Sequence, residues 1–332
     1  MTRRSLNLTS GQNLAMTFAG LVLLAASVST ALGQDEAQPA AEEAVAPAAV
    51  PAAPQTTLDR IQASGTLKLG YRNDAPPFSY RDESGNPAGY TVALCNRVAD
   101  SLKTQLRRQN LRTEWVQVNA RDSLDAVANG RIDLLCGAST DTLGRRAHVS
   151  FSIGVFPGGI GALLRTDAPA RLRLVLEGQQ PPTEPLWRGT PAPVLQHRNF
   201  STVAGTNAET WLNERISTFK LLSVVAPVDN YEAGIERVLH GQSDALFGDR
   251  AILLEAAKNS PAADKLVVLD RLFTVESVAL ALQRGDENFR LAVDRALSEL
   301  FRSPEFGDLY TRFFGEPEER VLLYYGIVAL PQ

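Results

Sequence analysis

Four consecutive residues, Ser139, Thr140, Asp141 and Thr142, carry side-chain oxygens, and a guanidinium, that of Arg145, follows one helical turn later. The surrounding stretch, DLLCGASTDTLGRRAHVSFS from Asp133 to Ser152, reads as a strand end, a hydroxyl-rich turn and a helix start. Free N–H groups at a helix N-terminus, two threonine hydroxyls and a guanidinium together suit a carboxylate. The same residue types also dominate ordinary helix caps, so this segment alone is open to both readings. Downstream, Asp249 closes the apolar run DALFGD just before AILLEAAK, where it can face a cleft or cap the next helix.

Alternating elements must position these groups. Thr66–Tyr71 is a short strand, and Thr91–Gln109 repeats apolar residues at helical spacing. Glu114–Val118 alternates as a strand, Leu124–Asn129 is a helix ended by Gly130, and Ile132–Leu135 is a strand. That βαβαβ order implies a parallel sheet, with ligands beyond the C-terminal strand ends. A second unit follows: strands at Ser201–Ala204, Leu221–Val225 and Ala245–Phe247, helices at Glu209–Glu214 and Tyr231–Leu239. Two α/β units mean two lobes. Between them, GVFPGGIGALL (Gly154–Leu164) reads as a flexible crossover strand. Thr166–Arg198, rich in Pro and Arg, reads as an elaborated surface loop, and Asn288–Phe314 as an amphipathic helix pair packed on its own lobe.

Composition bounds the class. The 332 residues are 44% hydrophobic and 21% charged, ordinary for a globular protein of about two domains. Residues 1–33 have a basic start (Arg3, Arg4), an apolar run from Leu14 to Val28 and a small-x-small ending at Ala31–Gly33, the pattern of a cleaved secretory signal peptide. Without those two arginines, 31 basic residues face 37 acidic ones, a net charge near −6 that argues against a nucleic-acid partner. Residues 34–57 are almost wholly Ala, Pro, Glu and Gln and read as a disordered tether. The two cysteines, Cys95 and Cys136, lie 41 residues apart without metal-site spacing, and an exported chain permits a disulfide between them.

The chain resembles the polar amino-acid substrate-binding proteins of bacterial ABC importers, in particular the glutamate/aspartate-type branch of bacterial extracellular solute-binding protein family 3. The resemblance rests on LGYRNDAPPFSY (69–80), GYTVALC (89–95), NGRIDLLCGASTDTLGRR (129–146), VSFS (149–152), VAGTNAE (203–209), GQSDALFGD (241–249) and the tail YYGIVALPQ. It implies a type II periplasmic binding protein, α/β and two-lobed, each lobe a sheet flanked by helices. The second lobe is inserted in the first, with crossovers near 156–162 and 270–276. Lobe 1 then spans 58–158 and 275–332, and lobe 2 spans 159–274. The implied activity is capture of a polar L-amino acid, glutamate, aspartate or a related one, by hinge closure in the periplasm. The implied partner is an inner-membrane ABC permease, the protein acting as a monomer without cofactor or metal.

A zwitterion leaving water needs a cation and N–H donors for its carboxylate and an anion for its ammonium. By the resemblance, Arg145 is the carboxylate clamp, Thr140 and Thr142 contact the ligand by hydroxyl or main-chain N–H, and Thr206 approaches the same carboxylate from lobe 2. Asp249 takes the ammonium, and Arg72 faces the ligand's side chain, which suggests an acidic or amide substrate. Cys95 and Cys136 match the branch's helix-to-strand disulfide. Two departures loosen specificity: Asn119–Ser123 breaks the branch's Asn-Arg pattern, and Tyr231 stands where a histidine can occur. The rival classes are an exported enzyme on the same scaffold, such as a cyclohexadienyl dehydratase, and a sensory input module.

Overall fold

The computed structural model describes residues 56–179 and 193–331. The expected signal peptide, the tether up to Gln55 and the middle of the 166–198 insertion lie outside the described residues.

The first part of the chain runs α1 (Thr57–Ser64), β1 (Thr66–Arg72), β2 (Asp74–Ala75), β3 (Ser79–Arg81), β4 (Pro87–Ala88), α2 (Tyr90–Gln105), β5 (Arg112–Val118), α3 (Ser123–Ala128), β6 (Leu134–Thr140), α4 (Leu143–Arg146) and β7 (Val149–Gly158). The second lobe holds β8 (Ile160–Arg165), α5 (Ala170–Leu176), β9 (Asn199–Val203), α6 (Asn207–Thr218), β10 (Val224–Val228), α7 (Tyr231–Leu239), β11 (Ala245–Asp249), α8 (Arg250–Lys258) and β12 (Leu266–Val268). The chain then returns through β13 (Glu276–Gln283), α9 (Glu287–Phe301), α10 (Glu305–Phe314) and α11 (Glu319–Val328).

Each lobe is built on a five-stranded sheet, ordered β5-β1-β6-β13-β7 in one and β10-β9-β11-β8-β12 in the other. The expected parallel pairing holds for β5, β1 and β6 and for β10, β9 and β11. It fails where the chain changes lobes: β13 runs antiparallel to β6 and β7, and β8 runs antiparallel to β11 and β12. Strands that arrive from the other lobe enter their sheet from its far end, so their direction reverses. The fold is therefore a two-lobed α/β periplasmic-binding-protein fold of type II.

The two crossing segments are bonded to one another. Ile160 N donates to Thr274 Oγ1 at 2.9 Å and Phe273 N to Ile160 O at 2.8 Å. A Cβ on Gly159 would lie 2.1 Å from the Thr274 carbonyl oxygen, so glycine here serves close backbone approach. That is a more specific reason than the flexibility its sequence suggests.

Another expectation is corrected at β6. The hydroxyl-rich segment was expected to open a helix, but Ser139 and Thr140 continue the strand, facing Ala279 and Val278 of β13. The helix that follows, α4, is a single turn. Antiparallel pairing to β13 extends the strand past the point where its apolar run stops.

Cys95 of α2 and Cys136 of β6 form a disulfide, which ties a helix to the strand that carries Thr140. Closing a loop of this length contributes on the order of 3–4 kcal/mol by chain entropy. Beside it, Tyr90 is fully buried, and its hydroxyl and that of Tyr325 in α11 both lie within hydrogen-bond distance of Val155 O in β7. The returning C-terminal helix is thereby anchored to the strand that leads into the crossover.

Candidate functional site

The ends of β1, β6 and β11 converge on one cavity between the lobes, with a volume of about 40 Å³. Five of the six expected ligand residues line it: Arg72, Thr140 and Arg145 from one lobe, and Thr206 and Asp249 from the other. Thr142 does not. It is the N-cap of α4, where its Oγ1 accepts from Arg145 N at 3.2 Å, so it orients the turn that carries Arg145.

Arg145 turns back over β6. Its Nη1 donates to Thr140 O at 3.0 Å and its Nη2 reaches across the cleft to Gly205 O at 3.3 Å. Both acceptors are neutral carbonyls. Burial lowers the arginine's pKa; Glu276 works in the opposite direction and the charge of Arg72 adds to the lowering. Among the described residues no carboxylate is hydrogen-bonded to this guanidinium, and a bidentate one suits it.

Asp249 performs both roles that its position allowed. Its Oδ1 accepts from Ala251 N at 2.9 Å and Ile252 N at 3.4 Å, capping α8. Its Oδ2 lies close to Gly158, where a Cβ would come within 2.9 Å. Burial raises its pKa to about 6, against the pull of the two cap N–H groups, and Glu276 adds to the rise. Among the described residues no cation is hydrogen-bonded to this carboxylate, and an ammonium would relieve it.

Thr206 faces the cavity, with its hydroxyl donating back to Val203 O at 2.6 Å. Its neighbour Gly205 has φ +79°, and a Cβ there would sit 2.7 Å from Arg121 Cα of the opposite lobe. Glycine is required both by that backbone conformation and by the approach of the lobes.

Arg72 differs from Arg145. It is 4% exposed and bound edge-on by Asp74, Nε to Oδ1 at 2.9 Å and Nη2 to Oδ2 at 2.9 Å. Burial alone would lower its pKa, but the Asp74 hydrogen bond and charge outweigh this and the pKa is raised. Tyr231, also buried, lies beside Arg72 and Asp249, and burial raises its hydroxyl pKa.

Among the lining residues not anticipated from sequence are Glu276 and Asn207. Glu276, the first residue of β13, accepts from Asn207 Nδ2 at 2.8 Å, a contact between the returning crossover strand and the first turn of α6. A lone carboxylate at the head of the apolar strand ESVALALQ was the available signal. Asn207 directly follows Thr206 in GTNAE. Among the described residues no cluster of three or more His, Cys, Asp or Glu could hold a metal ion, and no helix is long and apolar enough to cross a membrane.

Residues 67–316 match the model of the bacterial extracellular solute-binding proteins, family 3. The chain belongs to this family. The L-glutamate/L-aspartate-binding protein of Pseudomonas aeruginosa is 27% identical over 263 residues, 79% of this chain and 80% of that protein. The cyclohexadienyl dehydratase of the same organism is 32% identical over 129 residues, 39% of this chain and 46% of the enzyme. Among solved structures, an ancestral amino acid-binding protein described as a precursor of cyclohexadienyl dehydratase aligns with a TM-score of 0.63 at 22% identity, covering 78% of this chain and 99% of that one. This family member has the two-lobed fold of these structures, with Arg72, Arg145 and Asp249 lining one interlobe cavity.

Proposed function

We propose that this family member is a periplasmic receptor that closes on a polar L-amino acid and presents it to an inner-membrane ABC permease. The observation that carries the reading is the pairing of unmet charges across one cavity: Arg145, bonded only to carbonyls, on one lobe and Asp249, with its pKa raised to about 6, on the other. A zwitterion satisfies both, carboxylate to Arg145 and ammonium to Asp249, with Thr140 and Thr206 supplying further polar contacts. Binding then favours the closed arrangement, because only there do both lobes touch the ligand. The cavity is small as the lobes stand, which fits a receptor whose lobes part to admit the ligand. The glutamate/aspartate-binding relatives put glutamate and aspartate, with their amides, at the head of the panel to test. A thermal-shift screen against the twenty amino acids, followed by calorimetry, tests the reading: a micromolar or tighter ligand supports it, and no response from any amino acid refutes it.

A second reading, a dehydratase on the same scaffold, draws on the buried Asp249 carboxyl, whose raised pKa suits a general acid or base. Turnover of prephenate would establish it, and its absence would leave the receptor reading alone.

A further inference from the structure

Arg72 and Asp74 are held together by their own local structure. Ser79 Oγ accepts from Arg72 N at 2.9 Å and donates to Arg72 O at 3.1 Å, which pins the end of β1 to β3. Asp74 is paired opposite Tyr80 in the β2–β3 hairpin. The two side chains therefore meet without help from the second lobe or from any ligand, at 5% and 16% side-chain exposure. Arg72 lines the inner cavity and Asp74 lines a wider outer cleft of about 530 Å³, while Tyr231 borders both. The ion pair is thus part of the partition between the two spaces.

One edge of the guanidinium, Nε and Nη2, is taken by Asp74, and Nη1 makes no hydrogen bond with another described residue. A side-chain carboxylate arriving at Arg72 would meet a charge already neutralised and a second carboxylate directly behind it. An uncharged oxygen needs only one of the remaining N–H donors, two on Nη1 and one on Nη2, and meets no such repulsion.

Given the amino-acid reading above, we propose that Asp74 is the specificity-determining residue for the ligand's side chain. By occupying Arg72 it makes the cavity select L-amino acids with an amide or hydroxyl side chain over those with a carboxylate.

Calorimetric titration of the wild-type protein with L-glutamine, L-asparagine, L-serine, L-glutamate and L-aspartate tests this, repeated on Asp74→Asn and Asp74→Ser. The wild type is expected to bind its best amide or hydroxyl ligand at least about tenfold more tightly than the corresponding acid. Either variant is expected to shift that ratio at least about tenfold toward the acid. The ratio is taken within one protein, so a general loss of stability does not move it, and the serine variant stands in if the asparagine variant fails to fold. Tighter binding of glutamate or aspartate by the wild type, or an unchanged ratio in the variants, overturns the role of Asp74 while the amino-acid reading stands. Failure of every amino acid to bind the wild type overturns both.

Discussion

Two arginines face the same cavity from the same lobe in opposite electrostatic conditions. Arg72 is enclosed, and a carboxylate two residues away meets its charge across a fork of hydrogen bonds. Among the described residues the Arg145 guanidinium hydrogen-bonds only to the carbonyls of Thr140 and Gly205, one of them on the other lobe. The first is a finished structural unit, with its pKa raised; the second has its pKa lowered, chiefly by burial. The contrast teaches that a cationic side chain in a pocket is not by itself an anion site. What matters is whether the fold has already bonded a carboxylate to the guanidinium: Asp74 does so for Arg72, whereas Glu276 acts on Arg145 only through its charge.

The strongest way to break that comparison is Arg145→Ala. Two charge-assisted hydrogen bonds to a ligand carboxylate, at roughly 1.5–3 kcal/mol each, predict a loss of affinity of at least about a hundredfold by calorimetry. Near-normal binding would mean that Arg72, not Arg145, holds the carboxylate.

The expected effect of Asp249→Asn is smaller in binding and opposite in stability. The ammonium loses its anion, with affinity falling on the order of tenfold to a hundredfold. A carboxyl pKa raised by folding contributes stability that is complete below about pH 4 and is lost as the pH rises through 6. Asparagine still caps α8 but carries no charge, so the ligand-free variant should be more stable than the wild type at pH 7.5, by up to about 3 kcal/mol, and should melt at a higher temperature. A lower melting temperature would contradict the origin given for the raised pKa.

A third expectation follows from the same group. Below pH 6 the protonated Asp249 must release its proton to meet an ammonium, so affinity should weaken as the pH falls, approaching about tenfold per unit. Calorimetry at pH 7.5, 6 and 5 measures the slope, and an affinity that does not change with pH removes Asp249 from the ammonium site.

The smallest effect is expected for Thr142→Ala. Its hydroxyl caps the turn of Arg145, so the variant should lose about 1 kcal/mol of stability while affinity changes by no more than about threefold. A large loss of affinity would restore Thr142 to the ligand's direct contacts.

Most of the fold was legible in the sequence because each lobe's parallel core is made of local alternations of strand and helix. The reversals of β13 and β8 were not, since they follow from strands that change lobes and leave no periodic mark. At the site, the Thr140–Arg145 segment and Asp249 were legible as residue types at strand ends and turns, Arg72 and Thr206 were expected from the family resemblance, and the structure places all five around one cavity. The pairing of Arg72 with Asp74 was not read from the sequence, although residues two apart in extended backbone share a face. Glu276 was missed because it reaches the cavity through the return crossover, more than a hundred residues from the other groups of its lobe.

The most direct test of the central claim is a crystal structure of the protein with its tightest-binding amino acid. The account requires the α-carboxylate on the Arg145 guanidinium, the α-ammonium on Asp249 and Arg72 still bound to Asp74. A carboxylate seated on Arg72, with Arg145 turned out of the cavity, would contradict it.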